Sequence, residues 1–199
     1  MARTPRHETD LPKRPSTRVD KRRLPGVRAR EELNRLLRTH DPETAAQARA
    51  AIKPEQVPIL RQIAREQPTG SGDPVVRKHA IALLGWFAGA EELNALTDLV
   101  HFDPDPSVRA AALISLGSTG MQLAAPILSG ALASRDATEA AAAAKALTIL
   151  ARKVGPAAVR VQIGRPGTAR TVKLAERILG AGDAPARPRR AKRARTRAD

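Results

Sequence analysis

A phrase of 13 residues that occurs twice constrains the fold more than any other feature of the chain. DPVVRKHAIALLG begins at Asp73 and DPSVRAAALISLG begins at Asp105, with 7 of the 13 aligned residues identical at an offset of 32 residues. Weaker copies begin at Asp41, Asp136 and Thr168, which gives successive intervals of 32, 32, 31 and 32 residues. A regular period of this length is typical of a stacked array, in which each unit buries its apolar face against its neighbours.

Each copy has the pattern of a helical hairpin. Asp followed by Pro supplies an N-cap carboxylate and a first helical residue that needs no amide hydrogen. In the copy at Asp73, the side chains of Val76, Ala80, Leu83 and Leu84 share one helical face. A second amphipathic helix follows, and a glycine is expected to end the first one. The glycines at these expected helix ends are Gly85, Gly117 and Gly180.

The repeats occupy the middle of the chain, and both ends are basic. Residues 1–26 are predicted to be a disordered basic arm, and residues 181–199 a disordered tail rich in Arg and Lys. Neither segment offers enough apolar surface to offset the entropy of folding. A repeat domain is predicted for residues 27–180, in which the helix at about 27–39 is interpreted as the second half of a truncated leading unit.

The pattern DPxVRxxAxxxLG, followed by a second amphipathic helix, resembles the short HEAT-like repeat known from phycobilisome lyases, which belongs to the armadillo-type helical solenoids. The resemblance implies an all-α fold: a right-handed α-solenoid of about five stacked helical hairpins. It also implies a structural ladder of acidic and basic side chains between neighbouring repeats. The residues that match this ladder are Asp73, Arg77, Asp105 and Arg109.

The sequence offers little that could support catalysis. It has no Cys, and its 4 His show no metal-ligand spacing. The Gly-rich segment TGSGDP at residues 69–74 lacks the Lys that a phosphate-binding loop requires. No catalytic residue, metal site or cofactor is predicted. Trp86 and Phe87 follow a helix end, where they either fill a gap between repeats or form a surface anchor.

These features favour a non-enzymatic scaffold that binds another protein. Residues 41–140 carry 8 basic and 12 acidic side chains, whereas residues 141–180 carry 8 basic and 1 acidic, so the stack is expected to have a basic end. The candidate binding residues at this end are Arg152, Lys153, Arg160, Arg165, Arg170, Lys173 and Arg177. Solvated surface charge is the alternative explanation for each of them.

Nucleic-acid binding is the second hypothesis, because the net charge is +15 and a basic tail neutralises phosphates without reading sequence. The candidate tail residues are Arg189, Arg190, Lys192 and Arg193. The third hypothesis is an enzyme, since some HEAT-like proteins are alkylpurine DNA glycosylases or bilin lyase subunits. This is the weakest of the three, because 1 Trp and no Tyr can hardly line a glycosylase groove.

The location of the protein is predicted to be cytoplasmic. The absence of Cys fits a reducing compartment. The N-terminal segment MARTPRHETDLPKRP has no apolar stretch behind its basic residues and so does not read as a secretory signal. The run AIALLGWFAGA is too short to span a bilayer, and no membrane span is expected.

Overall fold

The computed structural model describes residues 25–38, 45–66, 73–87, 89–163 and 168–182. Within these ranges the chain forms α-helices and two short 3-10 turns, with no strand. The helices are α1 Pro25–Arg38, α2 Ala45–Ala51, α3 Val57–Arg65, α4 Pro74–Leu84, α5 Ala90–Phe102, α6 Pro106–Thr119, α7 Ala125–Ala131, α8 Ala137–Val154, α9 Pro156–Ile163 and α10 Ala169–Gly182.

The helices form two rows. Helices α4, α6, α8 and α10 are the first helices of successive hairpins and pack on one another in that order. Helices α3, α5, α7 and α9 are the second helices, and each packs against the first helix of the next hairpin. The broadest contact joins α6 to α8. This arrangement confirms the predicted all-α stack of hairpins.

Aspartate caps begin three of the first helices. The carboxylates of Asp73, Asp105 and Asp136 each accept a hydrogen bond from the backbone amide two residues later, at 2.9, 2.8 and 2.7 Å. Since the first helices run parallel, the three caps lie on the same side of the stack. We call this side the cap edge; it contains the described residues of the turns between hairpins, at 66, 73, 103–105 and 132–136. The opposite side, with the turns at 52–56, 85–89 and 120–124 inside the hairpins, is the hairpin edge.

Leucine and alanine form most of the described core. Leu84, Leu116 and Leu147 are fully buried on successive first helices, and Leu96 and Leu128 are fully buried on second helices. Ala80, Ala112, Ala143 and Ala146 also have no exposed surface. Small side chains allow the first helices to approach closely, so this core needs almost no aromatic residues.

Two of the three glycines predicted to end helices lie inside them. Helix α6 continues past Gly117 to Thr119 and is capped by Gly120, whose φ of 71° is left-handed. Helix α10 likewise continues past Gly180. The prediction is correct for Gly85, which caps α4.

Close approach between first helices explains Gly85 and Gly117. A Cβ at Gly117 would lie 2.4 Å from the backbone oxygen of Ala146 on α8. A Cβ at Gly85 would lie 2.6 Å from the backbone oxygen of Ser115 on α6. Both distances are shorter than any real contact, so any larger residue would force the first helices apart.

Helix α1 does not occupy the predicted position. It packs against both α3 and α4, as the first helix of a hairpin completed by α3 would. Its Leu33 and Leu37 are buried, and the Leu37 carbonyl lies 2.6 Å from His79 Nδ1 on α4. Helix α2, with the sequence AAQARAA, has no apolar side chain larger than alanine to fill that place in the core. The copy predicted to open at Asp41 begins outside the described residues.

The predicted arm and tail also lie outside the described residues, apart from 25 and 26, which belong to α1, and 181 and 182, which belong to α10.

Candidate functional site

A buried arginine is the centre of a polar network at the cap edge. The Arg77 side chain on α4 pairs with the carboxylate of Asp103, and the two side chains are only 7% and 1% exposed. Arg77 Nε also donates to the carbonyl of Ala64 at the end of α3, at 3.0 Å. Asp103 Oδ1 in turn accepts from the backbone amide of Asp105 at 3.0 Å. The pair therefore joins two hairpins and fixes the turn that leads into the next hairpin.

Arg109 extends the network by one more hairpin. Its Nη1 donates to the carbonyl of Asp103 at 2.7 Å, and its Nε donates to Glu139 Oε1 on α8 at 2.7 Å. Glu139 Oε2 accepts from the Ser134 hydroxyl at 2.8 Å. A continuous chain of contacts thus runs along the cap edge from α3 to α8, and we call it the cap-edge ladder.

The acids of this ladder are not the two that the repeated phrase suggested. Asp73 and Asp105 cap helices, and Asp73 lies 3.6 Å from Arg38 Nε on α1. Asp103 and Glu139 pair with the arginines instead. Asp103 could have been found in the sequence, because the segment DPDP places a second Asp-Pro just before the cap at Asp105.

Hydrogen bonding lowers the pKa of two cap carboxyls. The hydroxyl and then the amide of Ser107 hold the pKa of Asp105 below its ordinary value of 3.8. The amides of Glu139 and Thr138 do the same for the pKa of Asp136. Each cap is therefore held in its charged form at the N-terminus of a helix, where negative charge is favoured.

Ion pairs also join the second helices, and they were not predicted from the sequence. Arg61 on α3 contacts Glu91 at 2.5 Å and Glu92 at 2.9 Å on α5. Arg65 contacts Asp98 one turn further along, at 2.8 Å. The partners are 30 to 33 residues apart, about one repeat. Opposite charges offset by one period are the signal that would have revealed them.

Among the described residues, the cations of the predicted basic end lie on both edges of the stack. Arg152 and Lys153 are exposed at the end of α8, on the hairpin edge. Arg170 is exposed at the start of α10, on the other side, and Arg160 Nε on α9 lies 3.1 Å from Glu176 Oε2 on α10. Lys173 and Arg177 are exposed further along α10. Arg165, Arg189, Arg190, Lys192 and Arg193 lie outside the described residues.

The ring of Trp86, which is 43% exposed, contacts two cations at the hairpin edge. The guanidinium carbon of Arg49 on α2 and Nζ of Lys153 on α8 each lie 5.3 Å from the ring centroid. Lys153 Nζ also donates to the carbonyl of Ser118 at the end of α6. We call Arg49, Trp86 and Lys153 the Trp86 patch. The ring therefore contacts side chains of other repeats and remains partly exposed.

A partly apolar surface lies on two second helices. Helix α7 and the 3-10 turn before it contain no ionisable side chain, and Leu123 in that turn is 61% exposed. On the neighbouring helix α9, Val161 is 59% exposed. Charged second helices lie to one side, at α3 and α5. We call the exposed side of α7 and α9, together with Leu123 in the turn before α7, the second-helix face.

The described ranges offer little support for a metal site or a membrane-spanning helix. They contain no group of three or more His, Asp or Glu that could hold a metal ion, and no helix long and apolar enough to cross a membrane. A cleft of about 360 Å³ opens at the cap edge between α1, α3, α4 and α6. The arginines that line it are paired with carboxylates: Arg30 with Glu66, Arg38 with Asp73, and Arg77 with Asp103. The cleft therefore belongs to the network that joins the repeats.

The hairpins are stacked, their first helices run parallel, and ion pairs connect residues about one repeat apart. These features define the class of this protein as an α-solenoid. A family model described as HEAT repeats matches residues 57–148, from α3 into α8. These residues therefore form HEAT-like repeats. Its sequence matches no curated protein.

Proposed function

We propose that this chain is a non-enzymatic scaffold that holds a protein partner on its second-helix face. HEAT repeats commonly serve as scaffolds for protein interaction, and the family is generally non-catalytic. The observation that carries the proposal is the exposure of two apolar side chains: Leu123 in the turn that leads into α7, and Val161 on the neighbouring helix α9. Apolar side chains surrounded by polar ones are typical of the centre of a protein interface.

Charge around the face supports a protein partner. On one side, Arg61 and Arg65 already have partners on α5, so they add shape and rigidity but little free charge. On the other side, Lys173 and Arg177 on α10 are exposed. The partner we propose is therefore apolar where it meets α7 and α9, and acidic towards α10. The predicted cytoplasmic location remains part of this proposal.

Matched variants of the full chain test the proposal. Leu123→Asp and Val161→Asp place a charge on the second-helix face, whereas Ala141→Asp places the same charge on the exposed side of the first helix α8. Proteins captured from cell extract should be lost with the first two variants and kept with the third, at unchanged helical content by circular dichroism. Equal capture by all three variants would contradict the proposal.

A second candidate function is binding to nucleic acid through the tail and the basic end. The observation in its favour is the sequence of residues 187–197, of which 7 of 11 are basic. The test is binding of labelled duplex DNA across a salt series. Replacing Arg189, Arg190, Lys192 and Arg193 by Gln should flatten the salt dependence if the tail neutralises phosphates. Replacing Arg170, Lys173 and Arg177 by Gln tests the basic end in the same way. If neither set of substitutions changes DNA binding, this function is excluded for the tail and for the basic end.

A further inference from the structure

We propose that the Trp86 patch is a second binding site, and that it takes an acidic peptide segment containing an apolar residue. The site lies at the hairpin edge, near the turn that contains Leu123, but it shares no residue with the second-helix face. It therefore goes beyond the scaffold surface proposed above, and either site can fail without the other.

The fold itself assembles the patch. Arg49 and Lys153 come from α2 and α8, yet each lies 5.3 Å from the centre of the same ring. This is possible because Gly85 and Gly117 allow α4, α6 and α8 to approach closely. The ring at the end of α4 can then contact a lysine at the end of α8, with α6 between them. The two cations are thus placed before any ligand arrives.

The two cations differ from the other arginines that the described ranges place at repeat junctions. Arg61, Arg77 and Arg109 each pair with a carboxylate from a neighbouring helix or turn. Within the same ranges Arg49 and Lys153 pair with none; both contact the ring, and Lys153 also donates to a carbonyl. Contact with an aromatic face offsets only part of the repulsion between neighbouring cations. An incoming carboxylate would relieve the rest, so the patch is complementary to acidic groups.

The exposed aromatic surface favours a peptide over a nucleic acid. Trp86 is 43% exposed, and Phe87 beside it is partly buried against the core. Trp and Arg are the residues that most often dominate protein interfaces, where an apolar anchor is surrounded by charge contacts. Single-stranded nucleic acid instead needs several aromatic side chains on which successive bases stack. The sequence has only 1 Trp, 2 Phe and no Tyr to supply them.

Trp86 makes the test specific to the site, because the only Trp in the sequence reports its own surroundings by fluorescence. The probe is a fluorescein-labelled peptide in which one Leu and one Phe are flanked by Glu, and its unlabelled form is titrated for Trp emission. The full chain is compared with Arg49→Gln, Lys153→Gln and the double variant. Arg135→Gln is the control, since Arg135 is an exposed cation at the cap edge.

We expect saturable binding by anisotropy, accompanied by a change in Trp86 emission. Each single variant should weaken binding about threefold and the double variant about tenfold, whereas Arg135→Gln should leave it unchanged. Absence of saturable binding at millimolar peptide, or equal binding by the double variant, would overturn the proposal. Tighter binding of a single-stranded oligonucleotide of equal charge would overturn the choice of a peptide and assign the patch to nucleic acid.

Discussion

Replacing Arg77 by Met should destabilise the stack more than replacing any surface arginine. The change leaves the Asp103 carboxylate, whose side chain is 1% exposed, without a counter-ion and largely without water. Removing one partner of a buried ion pair typically costs about 3–5 kcal/mol. The carbonyl of Ala64 also loses the donor that lies 3.0 Å away, and a lost hydrogen bond costs about 1 kcal/mol. We therefore expect the free energy of unfolding to fall by about 4 kcal/mol or more.

Urea unfolding followed by circular dichroism measures this loss. The matched control is Arg65→Met, because Arg65 and its partner Asp98 are 47% and 55% exposed. A pair as exposed as this one contributes at most about 1 kcal/mol. In the double variant Arg77→Met with Asp103→Asn, no charge remains buried, so part of the stability should return, with a coupling energy of about 1–3 kcal/mol. If Arg77→Met lowers the free energy of unfolding no more than Arg65→Met does, this prediction is wrong.

The remaining predictions concern packing and pH. Gly117→Ala should lower the free energy of unfolding, measured by urea denaturation, by about 1–3 kcal/mol, because the new methyl group would lie 2.4 Å from the Ala146 backbone oxygen. Gly130→Ala on α7 meets nothing within 4 Å and should be neutral or stabilising by up to about 1 kcal/mol. Asp105 and Asp136 have lowered pKa values, so the stability they add is present at neutral pH and is lost as the pH falls through those values. Carboxyl titrations followed by NMR should give both midpoints below 3.8, and a midpoint at or above it for either residue would contradict the hydrogen-bonding argument.

The period and the caps could be predicted from the sequence because both are local. An Asp-Pro pair begins a helix wherever an apolar stripe follows it, and the structure has helices starting after Asp73 and Asp105. A regular recurrence of such starts leaves stacking as the way to bury the stripes. The period, the caps and the apolar stripes together predicted a stack of helical hairpins.

Interactions between repeats were harder to predict, because no single phrase contains both partners. Gly117 was interpreted as a helix end from its own neighbours, whereas its role depends on Ala146, which lies in the next unit. Helix α1 was assigned by period, but its place depends on how Leu33 and Leu37 fit against α4. The Trp86 patch joins residues from α2, α4 and α8, and no spacing rule places those together.

The close contacts at Gly85 and Gly117 also determine how the stack can bend. The first helices are nearly incompressible along their row, because backbone meets backbone between α4 and α6 and between α6 and α8. Among the second helices, α5 and α7 have little contact with each other. We therefore expect the row of first helices to act as a stiff spine and the junction between α5 and α7 to be the more compliant part. Bending about this spine widens or narrows the space between α5 and α7, so the array can adjust its curvature to the width of a bound partner while the spine keeps its packing.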